Sequence, residues 1–102
     1  MLRLSVWQVV LSETAVRQFR QIEKGRRALL KDGIRKNLAE SDPMRRSRNK
    51  FRLRRASEHA EYELRLEPWR VFCRVRGSLV EVALIGEKRG NKLLISGEEF
   101  VL

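Results

Sequence analysis

The sequence predicts an α+β fold: an N-terminal strand, a helical hairpin, then a mainly antiparallel sheet of three or more strands. Two observations carry this. Apolar residues recur with the 3.6-residue period of a helix between Ala15 and Leu38. They recur with the two-residue period of a strand from Tyr62 onward. The switch falls after Pro43, so helices and strands are segregated along the chain rather than alternating, and the helices are expected to cover one sheet face.

Leu4 to Leu11 is rich in β-branched and aromatic residues and reads as the first strand. Ser12 stands where a helix N-cap belongs, with Glu13 in the first turn. Ala15, Phe19 and Ile22 then form one apolar stripe, and Gly25 is expected to separate this helix from the next. The second helix is expected over Arg26 to Glu40, with Leu30, Ile34 and Leu38 repeating every fourth residue. Gly33 inside it disfavours the helix by about 1 kcal/mol relative to alanine. Ser41-Asp42-Pro43 ends it, because proline restricts the residue before it.

Phe51 to Arg54 is an extended lead-in to the sheet. Tyr62, Leu64 and Leu66 alternate with Glu63, Arg65 and Glu67, and after Pro68 the alternation resumes through Val75. Gly77-Ser78 is a turn, Leu79 to Ile85 is a central buried strand, and Gly86 is expected to close it. Leu93 to Ser96 is a further short strand before Gly97 and the tail.

A chain of 102 residues fits one domain, residues 1–102, and a hydrophobic fraction of 42% fits a packed core. No apolar run approaches the roughly 20 residues that a membrane span needs. The first eleven residues are broken by Arg3, Ser5 and Gln8 and carry no cleavage pattern, so they are expected to stay in a cytoplasmic protein. One cysteine, Cys73, excludes a disulfide framework and a cysteine-built zinc site, and one histidine, His59, argues against a His-rich metal centre. Neither metal nor cofactor is expected.

The formal charge of +10 concerns partners rather than fold. Residues 1–50 hold 13 basic against 5 acidic groups, and residues 51–102 hold 10 against 8. The densest run spans residues 45–55, where seven of eleven side chains are basic and none is acidic. Such a run repels itself unless anions compensate. Its arginines suit bidentate phosphate contacts, so Arg45, Arg46, Arg48, Lys50, Arg52 and Arg54, together with Arg74 on the sheet, are the candidate RNA-binding residues. A solvated loop that keeps the protein soluble is the plainer reading of the same run.

Strand alternation places Glu63, Arg65, Arg70, Arg74 and Arg76 opposite the core set of Tyr62, Leu64, Trp69 and Val71. Arg65 and Arg70 are expected to face each other across a hairpin, a like-charge pair that an anion would relieve. Lys88 and Arg89 add positive charge after the central strand. A cationic sheet face can hold a phosphodiester and stabilise charge developing during its cleavage. RNA supplies its own nucleophile, so such a face needs only a proton acceptor and a donor. The proton-carrier candidates are Glu63, His59, Tyr62 and Lys88; each has a plain structural alternative, an ion pair for Glu63 and a core position for Tyr62. Phe72 falls on the charged face, where an aromatic ring can stack on a base or simply shield the sheet.

The order of elements, with Glu63-Leu64-Arg65-Leu66, Trp69-Arg70-Val71-Phe72 and Ile85-Gly86-Glu87-Lys88-Arg89-Gly90-Asn91, resembles the RelE/ParE superfamily of type II toxin–antitoxin toxins. The resemblance implies one of two activities: a metal-independent endoribonuclease cutting mRNA on the ribosome, or an inhibitor of DNA gyrase. A toxin-fold binding module without toxicity is the third alternative. It also implies an antitoxin partner with an acidic or amphipathic segment, and no membrane. Within it, Arg70 matches the phosphate-contacting arginine of the family's strand motif, Arg65 matches a basic residue on the preceding strand, and Lys88 or Arg89 matches the basic residue after the central strand. Arg65, Arg70, Lys88 and Arg89 are therefore the candidate catalytic residues. Glu63 departs from the pattern, where the family carries a second basic residue, and the tyrosine of some nucleases is replaced by the stretch Lys92-Leu93-Leu94.

Overall fold

The computed structural model describes residues 7–55, 60–95 and 98–101, the last of these by backbone alone. Residues 4–6 of the expected first strand, His59, and Ser96-Gly97 lie outside the described residues. The elements are β1 (Gln8–Leu11), α1 (Glu13–Arg20), α2 (Lys24–Ile34), a π-helical turn (Arg35–Ala39), β2 (Lys50–Arg52), β3 (Tyr62–Leu66), β4 (Trp69–Arg76), β5 (Leu79–Arg89), β6 (Lys92–Ile95) and β7 (Glu98–Val101). This is the expected α+β order. The strands form one sheet in the order β2-β3-β4-β5-β6-β7, all neighbours antiparallel. β1 lies parallel to the first half of β5.

One core holds the layers together. Leu30, Ile34 and Leu38 from the helices meet Tyr62, Leu64, Trp69, Val71, Cys73, Val80, Val82 and Ile85 from the sheet. Burial in this apolar layer pushes the Cys73 thiol up to about 12, so it packs as a neutral group. The sheet's opposite face contributes nothing to that cluster.

Ser12 is the N-cap as expected: its Oγ accepts from the Ala15 backbone N–H at 3.0 Å. It also donates to the Ala83 carbonyl at 2.7 Å, and Gln18 Oε1 accepts from the Ile85 N–H at 2.6 Å. β5 pairs with β1 only through Val82 and with β6 only from Glu87. The N-cap and a side chain of α1 thus satisfy backbone groups in the gap where the edge of β5 facing away from β4 has no strand beside it.

Three boundaries differ from expectation. Gly25 does not separate the helices; it sits in the first turn of α2, where backbone N–H groups lack intrahelical partners anyway, and the break falls at Gln21–Glu23. The second helix widens into a π turn over its last residues. Gly86 does not close the central strand, which runs on to Arg89; a Cβ at position 86 would lie 3.0 Å from Ile95 Cγ1 and 3.1 Å from Leu93 Cδ1. Glycine there lets β6 side chains cross the strand. Gly33 has a similar cause, since a Cβ would lie 2.8 Å from Leu66 Cδ1. The helix holds a poor helix former where the Leu66 side chain of β3 lies against it.

Candidate nucleic-acid interface

Register decides which side chains share the face left open by the helices. Arg65 lies opposite Arg70, and Arg70 opposite Gly86. Lys88, two residues beyond Gly86, is the diagonal neighbour of Arg70 on the same face. The next row is Phe51, Glu63, Phe72 and Leu84, each opposite the one before. A row beyond, Arg74 faces Glu81 and Glu81 faces Val10. Between Phe72 and Cys73 a bulge shifts the register by one residue.

The arginines of this face meet carboxylates. Glu63 Oε2 accepts from Arg65 Nε at 3.1 Å and lies 3.4 Å from Arg70 Nε. Arg70 also donates through Nη2 to Glu67 Oε1 at 3.0 Å and through Nη1 to the Trp69 carbonyl at 3.1 Å. Its side chain is 4% exposed, so the guanidinium is enclosed, hydrogen-bonded through both Nη atoms and ion-paired at Nε. The like-charge repulsion between Arg65 and Arg70 is thus relieved from within, by Glu63. Arg65 remains 46% exposed and lies over the Phe51 ring at 4.5 Å. Arg74 pairs with Glu81 at 3.0 Å. Arg89, expected beside Lys88 as a catalytic candidate, is not on this face: strand alternation sets it with Glu87, which lies opposite Trp69 on the core side, and it pairs with Glu87 at 3.3 Å and lines a pocket with Gln18, Ile22 and Arg26 of the helical layer. No carboxylate among the described side chains pairs with Lys88.

The basic run divides into two groups. Arg45, Arg46, Arg48, Arg54 and Arg55 are exposed, and none of them pairs with a carboxylate among the described side chains. Lys50 is different: expected on the RNA surface, it is 3% exposed, and its Nζ donates to the Asn37 and Asp42 carbonyls at 2.8 Å each. The reason is strand alternation. Phe51 opposes Glu63 on the open face, which turns Lys50 and Arg52 toward the helices. Burial pushes the Lys50 ammonium below its ordinary value. Arg52 is exposed but bends over the Tyr62 ring and donates to its hydroxyl at 3.0 Å. Tyr62 is itself buried in the core, which removes it from the proton-carrier candidates.

Arg48 and Arg65 both line a groove of about 650 Å³ between α2 and the β3–β4 hairpin, together with Leu66, Trp69 and the carboxylates Asp32 and Glu67. The exposed arginine edge is therefore continuous with the outer member of the sheet-face pair. Among the described residues no group of three or more His, Cys, Asp or Glu side chains could hold a metal ion. Among them, too, no helix is long and apolar enough to cross a membrane.

No family, curated protein or solved structure matches this chain.

Sequence reasoning placed Arg65 and Arg70 on one face and left Lys88 and Arg89 as alternatives after the central strand; the register brings Lys88 to that face and turns Arg89 to the other. The same reasoning set Glu63 and Phe72 on that face but missed Phe51, which the pairing of β2 with β3 brings into line with them. The signal was present: alternation in Phe51-Arg52-Leu53 sets Phe51 on one side, and pairing with β3 makes that the charged side. Around Arg65 the face offers an accessible guanidinium, a lysine without a described carboxylate partner, a carboxylate and two half-buried rings. These groups can hold a phosphate and stack on bases.

Proposed function

We propose that this protein is the toxin of a RelE/ParE-like toxin–antitoxin pair and that it acts on ribosome-bound mRNA as an endoribonuclease. The observation that carries this reading is the cross-strand pair Arg65–Arg70 with Lys88 diagonal to it, opening at Arg65 onto an edge of exposed arginines. The edge binds the RNA backbone through its phosphates. Arg65 and Lys88 meet the scissile phosphate and stabilise the charge that develops as the ribose 2′-hydroxyl gives its proton to water, its oxygen attacks phosphorus, and the bond to the 5′-oxygen breaks with that oxygen taking a proton from water. Arg70 is a positioning residue: enclosed, it anchors Glu63 and sets the Arg65 side chain beside it. The antitoxin fits the same edge with an acidic segment, neutralising its charge.

The test is a purified translation reaction in which growth of the product and the ends of the message are followed together. Arrested translation with new message ends is expected, and Arg65→Ala should abolish both. Arrest with an intact message would leave the protein a binder that does not cut. The satisfied guanidinium of Arg70 favours that second reading. Inhibited DNA supercoiling with message and translation untouched would instead assign the protein to gyrase.

A further inference from the structure

We infer that the open sheet face reads unpaired RNA bases, with Phe51 and Phe72 as stacking platforms and Glu63 between them selecting bases that carry an exocyclic amino group. The inference rests on the RNA reading above and deepens it by naming what the site recognises.

The three side chains form one cross-strand row on β2, β3 and β4. Adjacent strands lie about 4.8 Å apart, so the two rings stand about 10 Å from each other, with the carboxylate midway. Both rings are half-buried and neither belongs to the core beneath the helices. Apolar rings partly open to solvent beside the Arg65–Arg70 pair suit an occupant with flat apolar surfaces and negative charge. A single-stranded nucleic acid has both, and the arginines flanking the row supply the complementary charge. Arg65, lying over Phe51 at 4.5 Å, extends that platform with its own planar group.

Glu63 sets the preference. Its Oε2 is occupied by the Arg65 and Arg70 guanidinium groups, which fixes the carboxylate in place. Among the described residues, no hydrogen bond reaches Oε1, which is left to accept a proton donor. Adenine, cytosine and guanine present an amino group to such an acceptor. Uracil presents carbonyl oxygens flanking its one N–H, and those repel a carboxylate. A side chain 14% exposed in a partly dehydrated row makes the mismatch matter, because an unpaired polar group there loses its water without compensation.

The experiment is fluorescence anisotropy with labelled oligoribonucleotides of one length, A-only, C-only and U-only, and a duplex of the same length, at fixed low salt. The expected order is A and C bound about tenfold more tightly than U, and single strands more tightly than duplex, whose bases are already stacked. Phe72→Leu and Phe51→Leu, which keep an apolar side chain, should each weaken A and C by about tenfold while melting like the wild type. Glu63→Gln keeps the shape and can both donate and accept, so it should bring U level with C. Equal affinity for A, C, U and duplex, with both leucine variants binding as wild type, would overturn the inference while leaving a phosphate-binding protein. No binding to any of these RNAs would overturn the RNA reading itself.

Discussion

Replacing Lys50 by methionine separates two roles that its place in the basic run confounds. As a phosphate contact, the lysine would contribute to affinity and little to stability. The structure gives the opposite weighting. Its Nζ holds two backbone carbonyls at 2.8 Å, one at Asn37 in the π turn and one at Asp42 beyond it. The Asp42 carbonyl keeps a second donor, the Arg45 N–H at 3.1 Å, whereas none of the described backbone or side-chain donors other than Lys50 bonds the Asn37 carbonyl. Methionine preserves the apolar stem and removes both bonds. Hydrogen bonds to charged groups contribute about 1.5–3 kcal/mol each. Relief of the ammonium's desolvation offsets part of that, since burial already pushes it below its ordinary value of 10.5. A net loss of about 2 kcal/mol remains, which lowers the melting temperature by roughly 10 °C in a domain of this size. The pH dependence supplies a second readout. Between the lowered folded value and 10.5 the unfolded chain binds more protons than the folded one, so wild-type stability rises with pH across that window. Lys50→Met should lack the rise. Thermal melts by circular dichroism across that range, with RNA affinity measured alongside, decide the matter. A variant that melts like wild type but binds RNA more weakly would refute the buried-staple role.

Other perturbations follow the same logic. Gly33→Ala gains about 1 kcal/mol of helix propensity and sets a methyl 2.8 Å from Leu66 Cδ1, the movable end of a half-buried side chain, so the gain and the cost of displacing Leu66 should nearly cancel alone, and the gain should appear in full in a Leu66→Ala background; urea midpoints of the four proteins in that cycle check it. The Glu61 carboxyl is held below its ordinary value of 4.5, first by the Val75 N–H and also by Arg76, so the unfolded state binds the extra proton as pH falls and stability drops there; Glu61→Gln should flatten that acid limb in a denaturation series. Arg48→Ala should weaken binding to every single-stranded RNA alike and reduce the slope of log affinity against log salt by about 0.7, measured by anisotropy titrations in increasing salt.

The order of elements was legible because each period of apolar residues matched the structure it predicts, from Ala15 through Leu38 and from Tyr62 through Val75. What escaped were features made by approach in space. Gly86 looks like a terminator when only its neighbours in sequence are considered; its partner is the pair Leu93 and Ile95, which cross over it from β6. The π turn and the bulge after Phe72 leave no compositional mark. Lys50 was misassigned because charge density says how many cations a segment carries, not which of them turns inward. Alternation around Phe51 contained that answer, once β2 is known to pair with β3. The expected opposition of Arg65 and Arg70 held, since the short hairpin between β3 and β4 leaves little freedom of register.

That opposition also changes what the site can be asked to do. Two arginines facing each other suggest a missing anion, yet Glu63 stands one row away and supplies it, with Glu67 bonding the inner guanidinium from the hairpin end. The pair is therefore formed and neutralised before any ligand arrives, and its two members are unequal: Arg70 is enclosed and Arg65 is nearly half exposed. Removing Arg70 strands a half-buried carboxylate beside a single arginine and should lower stability before it lowers affinity. Removing Arg65 leaves Arg70 still bonded to Glu63, Glu67 and Trp69 and should strike the ligand alone. The two alanine variants, compared for melting temperature and RNA binding side by side, thus separate the residue that builds this face from the residue that uses it; equal losses of binding at unchanged melting temperature would mean that Arg70 opens to the ligand after all.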